Sequence, residues 1–177
     1  MLKRLIILLR HRWLDESDTR RLITPETIDQ LTRRVGASER RHTGEIRIVV
    51  EAGLPLSYLW RHCRDNTGMA ELTRERATTL FGKLRVWDTA NNNGVLMYLL
   101  VAERKIELLA DRGVNALVSA AEWDAMVRRM GLAFASGRYE DGLTQALEEV
   151  SAVLVANFPA DAAAANPNEL PDQPQIG

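Results

Sequence analysis

Hydrophobic positions recur with two different periods along the chain, and the switches between them mark its elements. Thr24, Pro25 and Glu26 open a helix, with Thr24 as N-cap, Pro25 at the first helical position and an acid at the positive end. Ile28, Leu31 and Val35 follow at helical spacing. After His42, Thr43 and Gly44 the period shortens. Residues 45–51 are β-branched and partly alternating, which predicts a strand with Glu45, Arg47 and Val49 on one side. Ala77, Leu80, Phe81 and Leu84 trace one face of a second helix. Two apolar runs, 94–100 and 106–110, flank Glu103, Arg104 and Lys105, so strands 94–101 and 104–111 pair as a tight antiparallel hairpin. Ser119 and Glu122 form a capping box before Trp123, Met126, Val127 and Met130, and Gly137 stands where a helix-ending glycine is expected. Tyr139, Leu143, Ala146, Leu147, Val150, Val153 and Leu154 line a last helix closed by Phe158 and Pro159.

The order α, β, α, β, β, α, α predicts an α/β fold, a three-layer α/β/α sandwich around a small mixed sheet with an antiparallel hairpin. That domain spans residues 24–159. Before it, residues 1–23 form a basic amphipathic leader. Leu2, Leu5, Ile6, Leu9 and Trp13 share a helical face, while Lys3, Arg4, Arg10 and Arg12 supply positive charge. Two readings of the leader stand: a helix packed on the domain with its cations solvated, or peripheral membrane contact through residues 1–13. After the domain, residues 160–177 hold Pro167, Pro171 and Pro174 beside an Ala run, a composition that predicts disorder.

Composition narrows the partners. A chain of 177 residues with 46% hydrophobic content can bury one ordinary core. Its 23 basic and 24 acidic residues nearly cancel, so nothing favours a nucleic acid, and Trp60, Trp87 and Trp123 lack the basic stripe of a base-stacking platform. The single cysteine, Cys63, excludes an internal disulfide and fits a reducing compartment. The uninterrupted apolar run 5–9 is too short for a signal peptide, and nothing approaches the roughly 20 apolar residues of a spanning helix. The expected location is cytoplasmic, peripheral to the inner membrane if the leader contacts lipid.

One constellation carries chemistry. In the loop 87–94, three consecutive Asn residues and Gly94 tolerate left-handed backbone and offer carbonyl oxygens, which suits a plain turn or a hard cation such as calcium or magnesium. Antiparallel pairing brings Asn93 near Asp111, so Asp88, Asn92, Asn93 and Asp111 are the candidate metal ligands, beside Arg47 and Arg112 as candidate anion-binding groups. Against this, Asp111 can simply cap a turn with Arg112 solvated, and two Asp with neutral amides make a weak cage. No catalytic residue emerges. His62 and Cys63 are adjacent in sequence and so poorly placed for nucleophile activation, and Met69 stands where a thiol-phosphatase loop needs arginine. His11 sits in the leader and His42 beside a Thr-Gly turn. Glycine-rich phosphate loops, zinc-ligand spacings and serine elbows are absent from the sequence.

An ordered set of short motifs resembles the TPM domain family. It comprises Thr43, Gly44, Glu45, Ile46 and Arg47; Leu80, Phe81 and Gly82; Asn93, Gly94, Val95 and Leu96; Arg104, Lys105 and Ile106; Asp111, Arg112 and Gly113; and Phe134, Gly137, Tyr139, Gly142 and Leu143. The resemblance implies the same α/β/α sandwich. It also implies a range of roles, because some members are described as acid phosphatases, some as calcium-binding, and many as accessory domains near membranes. Their proposed cation site uses acids before the second strand and at the end of the third. Here Asn92 and Asn93 replace the commonly acidic pair, while Asp111 is retained. The resemblance therefore implies an accessory or binding module for a protein partner, with weak divalent-cation binding. Its alternative is a metal-dependent acid phosphatase in which Asp88 and Asp111 hold the metal and Arg47 or Arg112 steadies the phosphate. The leader and tail lack the signal peptide and spanning helix of many relatives, which implies a soluble branch.

Overall fold

The computed structural model describes residues 2–14, 16–161 and 167–177. The elements run α1 (Leu2–Trp13), α2 (Glu16–Leu22), α3 (Pro25–Glu39), β1 (Ile46–Glu51), α4 (Leu56–Asp65), α5 (Met69–Lys83), β2 (Val95–Leu100), β3 (Lys105–Ala110), α6 (Arg112–Asn115), α7 (Ala120–Ala135), α8 (Tyr139–Asn157) and β4 (Gln175–Ile176). They build a four-stranded sheet in the order β3-β2-β1-β4. The β2–β3 pair is antiparallel, with Val95 opposite Ala110, and β1 pairs parallel with both β2 and β4. Parallel neighbours need a crossover, supplied here by the segment carrying α4 and α5.

Every residue of β2 is buried, as a central strand covered on both faces requires. Alternation divides the core. Ile46, Ile48, Val50, Val95, Met97, Leu99, Ile106 and Leu108 meet the apolar faces of α3, α7 and α8. Val49, Leu96, Tyr98, Leu100 and Leu109 meet Leu59, Leu72, Ala77 and Leu80 of α4 and α5 on the other side. The arrangement is the three-layer sandwich. The predicted ends also form: the Thr24 hydroxyl accepts from the Thr27 N–H at 3.3 Å, Ser119 and Glu122 complete a capping box, and Gly137 adopts φ 76° after α7.

Three features depart from the expectation. The helix α4 was not marked by the apolar pattern, because Leu56 and Trp60 face solvent while His62 is buried. The hairpin is joined by one turn of 3₁₀ helix over Val101–Glu103, closed by Arg104 at φ 51°. The tail is the main correction. Residues 162–166, which hold most of the Ala run, lie outside the described residues, but 167–177 pack along β1 instead of being disordered. Leu170 is buried, and its N–H donates to Glu45 Oε2 at 3.0 Å. Gly177 N–H donates to the Val50 carbonyl at 2.9 Å, and Ala52 N–H to the Gly177 carbonyl at 3.0 Å. The tail alone has too little apolar surface to order itself, and the edge of β1 supplies the missing hydrogen bonds.

Candidate functional site

Two loops meet where β2 begins and β3 ends. The antiparallel register sets their contact: Asp111 N–H donates to the Gly94 carbonyl at 2.8 Å, and Gly113 N–H to the Asn92 carbonyl at 2.9 Å. Close packing demands glycine twice, at Gly94 within the loop before β2 and at Gly113 across to it. A Cβ at Gly94 would lie 2.0 Å from the Val86 carbonyl oxygen, and one at Gly113 2.5 Å from that of Asn92. The site thus sits at the carboxyl end of β3 but at the amino ends of β1 and β2. The hairpin, not the carboxyl-end rule for parallel sheets, brings it together.

The convergence encloses a cavity of about 250 Å³ lined by Trp87, Asp88, Thr89, Asn92, Asp111 and Arg112. Asn92 is held in the left-handed region at φ 52°, and its Oδ1 accepts from Arg112 Nε at 2.8 Å. Asp88 is exposed and paired with Arg85, 2.7 Å between Oδ2 and Nη2. Asp111 is buried. Its Oδ1 accepts from the Arg112 N–H at 2.7 Å, capping the short α6, while its Oδ2 is buried with no hydrogen-bond partner among the described residues. A solitary buried carboxylate oxygen is costly unless something positive meets it.

Two of the six sequence candidates turn away. Asn93 is fully buried; its Nδ2 donates to the Thr43 carbonyl at 3.0 Å, and its Oδ1 accepts from the Thr89 hydroxyl at 3.2 Å. It fastens the loop to the segment before β1 and does not line the cavity. Arg47 is 8% exposed and spends its guanidinium on the tail, donating to the carbonyls of Pro171 (2.8 Å) and Gln173 (2.7 Å) and to Gln175 Oε1 (3.1 Å). Of the two candidate anion-binding groups, Arg112 alone lines the cavity.

The donor set fits a hard dication only loosely. Among the described residues no group of three acidic, His or Cys side chains is placed to hold a metal ion. Asp111 Oδ2 is an available anionic ligand, Asp88 a second once it leaves Arg85, and the Asn92 amide oxygen a third once Arg112 swings aside. A cation needing six to eight oxygens would keep most of its waters.

Two of the three histidines are tied into the fold. His42 is buried between Ser38 Oγ (2.7 Å) and the Gly44 carbonyl (3.0 Å), and burial pushes its pKa down to about 4. His62 Nδ1 bonds the Thr67 carbonyl at 2.7 Å. Sequence reasoning did not anticipate a carboxyl seam under the tail. There Glu39 Oε1 accepts from the Ile46 N–H at 2.9 Å while burial, and then the charges of Glu45 and Asp172, push its pKa up to about 8. Glu45 is raised too, by burial first. From the same tail, Glu169 receives the Ala90 N–H at 3.0 Å and braces the site loop. No periodicity could have shown these contacts. A larger groove, about 970 Å³, lies along β3 between α5 and α7 and contains none of the six candidates.

Comparison with known proteins agrees with this architecture. The profile of the TPM domain matches residues 17–153, beginning inside the leader. The NMR structure of the BA42 protein from the psychrophilic bacterium Bizionia argentinensis is similar over 87% of this chain and 94% of that one, with a TM-score of 0.71 and 25% sequence identity. No curated protein matches the chain.

Proposed function

We propose, for a chain that belongs to the TPM domain family, an accessory binding module that serves a protein partner and holds a divalent cation weakly in the cavity between the loop before β2 and the segment after β3. The observation that carries the cation reading is Asp111 Oδ2, buried and unpartnered among the described residues, at a cavity that Asp88 and Asn92 also line. Guanidinium groups already engage Asp88 and Asn92, which caps the affinity. With a dissociation constant on the order of 1 mM, about 10 mM calcium stabilises the fold by roughly 1.4 kcal/mol, a few degrees in melting temperature.

The lining supports the accessory reading. Thr89 is the one hydroxyl there, and it is donated to Asn93 within the loop, which supports binding over nucleophilic chemistry. A metal-dependent phosphatase is the second reading, favoured by Arg112 at the same cavity, a placement suited to a phosphate oxygen. Thermal melts of the full chain with and without calcium, magnesium or manganese test both. The expected result is a shift in the wild type that disappears in Asp111→Asn, whose metal-free stability is equal or higher. An unshifted wild type, or an equal shift in the variant, would overturn the cation site. Turnover of p-nitrophenyl phosphate that is lost in Asp111→Asn would replace the first reading with the second.

A further inference from the structure

The leader helix is anchored, and the anchoring turns a particular face outward. Leu8 packs against the core cluster that contains Leu54 and Leu59. The His11 side chain is fully buried. Its Nδ1 accepts from the Leu54 N–H at 3.0 Å, so the ring proton is on Nε2 and is donated to Glu103 Oε1 at 3.0 Å. Arg10 pairs with the same Glu103, and Gly53 lies under the helix, where a Cβ would come within 2.8 Å of the His11 carbonyl oxygen.

With those residues inward, Ile6, Leu9 and Trp13 form an outward stripe at i, i+3, i+7, exposed by 54%, 45% and 79%. The strand-to-helix loop that receives His11 leads directly into α4, where Leu56 and Trp60, one turn apart, are exposed by 69% and 64%. These two helices carry five of the nine large hydrophobic side chains exposed among the described residues. Scattered exposed apolar residues are ordinary, whereas a cluster on two adjoining elements needs a partner.

The charge pattern identifies that partner. The sequence of α1, LKRLIILLRHRW, has four Lys or Arg residues and no acid, and Glu103 answers one of the four, Arg10. On α4, Arg61 and Arg64 are neutralised by Glu75 and Asp65, so the positive excess belongs to α1. Apolar residues on a helix whose sequence carries a positive excess, with tryptophan at the end of each stripe, match an anionic lipid surface: the alkyl groups enter the acyl boundary and the indoles lie at headgroup depth. We propose that α1 and the start of α4 form a lipid-docking face that rests Ile6, Leu9, Trp13, Leu56 and Trp60 on an anionic membrane. The side chains of Leu2, Lys3, Arg4 and Leu5, which the sequence assigned to the same leader, lie outside the described side chains, and Lys3 and Arg4 enter only through the charge they give the α1 sequence.

The test is co-sedimentation of the full chain with phosphatidylcholine vesicles containing about a third phosphatidylglycerol, and with pure phosphatidylcholine, at low and high salt. Expected is binding to the anionic vesicles that weakens at high salt and on neutral lipid. It should fall about tenfold or more in the triple variant Ile6→Ser, Leu9→Ser, Trp13→Ser, with a smaller loss in Leu56→Ser, Trp60→Ser. Leu132→Ser, which removes an exposed side chain from α7, serves as the control and should bind like the wild type. The second variant keeps the test decisive if the first fails to fold. No binding by the wild type, equal binding by both folded variants, or binding indifferent to anionic lipid would each overturn the proposal. So would self-association of the wild type in the absence of vesicles that the same substitutions abolish, since a second copy would then cover the face.

Discussion

Replacing Glu39 by Gln isolates the proton that helps hold the tail in place. Glu39 ends α3 beneath the tail, 8% exposed, with Glu45 and Asp172 as charged neighbours. Its pKa rises from 4.5 to about 8, while that of His42, three residues on, falls from 6.5 to about 4. The two act on stability with opposite signs. Between pH 4.5 and 8 the folded chain keeps a proton on Glu39 that the unfolded chain has released, so stability falls as pH rises. Between pH 4 and 6.5 the unfolded chain holds a proton on His42 that the folded chain refuses, so stability rises as pH rises. The slopes oppose each other from pH 4.5 to 6.5. Above 6.5 Glu39 acts without opposition from His42, at roughly 1.4 kcal/mol per pH unit.

The wild type should therefore be nearly flat from pH 4.5 to 6.5 and then lose on the order of 2 kcal/mol by pH 8, roughly 4–8 °C in melting temperature for a domain of this size. In Glu39→Gln the amide oxygen can still accept from the Ile46 N–H and the amide nitrogen can donate to Asp172, but the group never ionises. Its profile should rise from pH 4.5 to 6.5 under His42 and then stay level. Calorimetric melts of both proteins at pH 5, 6.5 and 8 make the comparison. A wild type that holds its stability to pH 8, or a variant that loses it in parallel, would refute the reasoning.

Two further substitutions probe the parts that hold the site and the tail. Arg47→Met leaves the carbonyls of Pro171 and Gln173 without their donor, at a cost of about 1–3 kcal/mol, and amide exchange by mass spectrometry should show faster exchange across 167–177; unchanged protection there would refute it. Gly94→Ala forces a Cβ against the Val86 carbonyl, and the urea midpoint should fall by the equivalent of about 3 kcal/mol or more; an unmoved midpoint would show that the loops yield where the packing says they cannot.

The hairpin and the outer helices were legible because each marks itself locally. The apolar runs of β2 and β3, the Thr24 cap and the Ser119–Glu122 box state their structure within a few residues. Antiparallel connectivity put Asn93 near Asp111, which located the loop correctly, although Asn92 is the one of the pair that lines the cavity with Asp111. What failed was long-range. Arg47 was read as an anion ligand and residues 160–177 as disordered, and for 167–177 both readings miss the same fact. The guanidinium of Arg47 and the carboxylate of Glu45 both reach the tail, and apart from the Gln175 amide the groups they bind there are backbone groups. A proline-rich segment looks unable to order itself when its own side chains are considered, and a buried arginine looks as if it awaits a phosphate when its own strand is considered. Only the sheet edge makes them partners. Asn93 shows the same limit at shorter range, since its amide fits a metal cage by type, yet the Thr43 carbonyl fifty residues earlier claims it. Asp111 is different: the described structure leaves one of its buried oxygens without a partner, and that oxygen is where a ligand has most to gain.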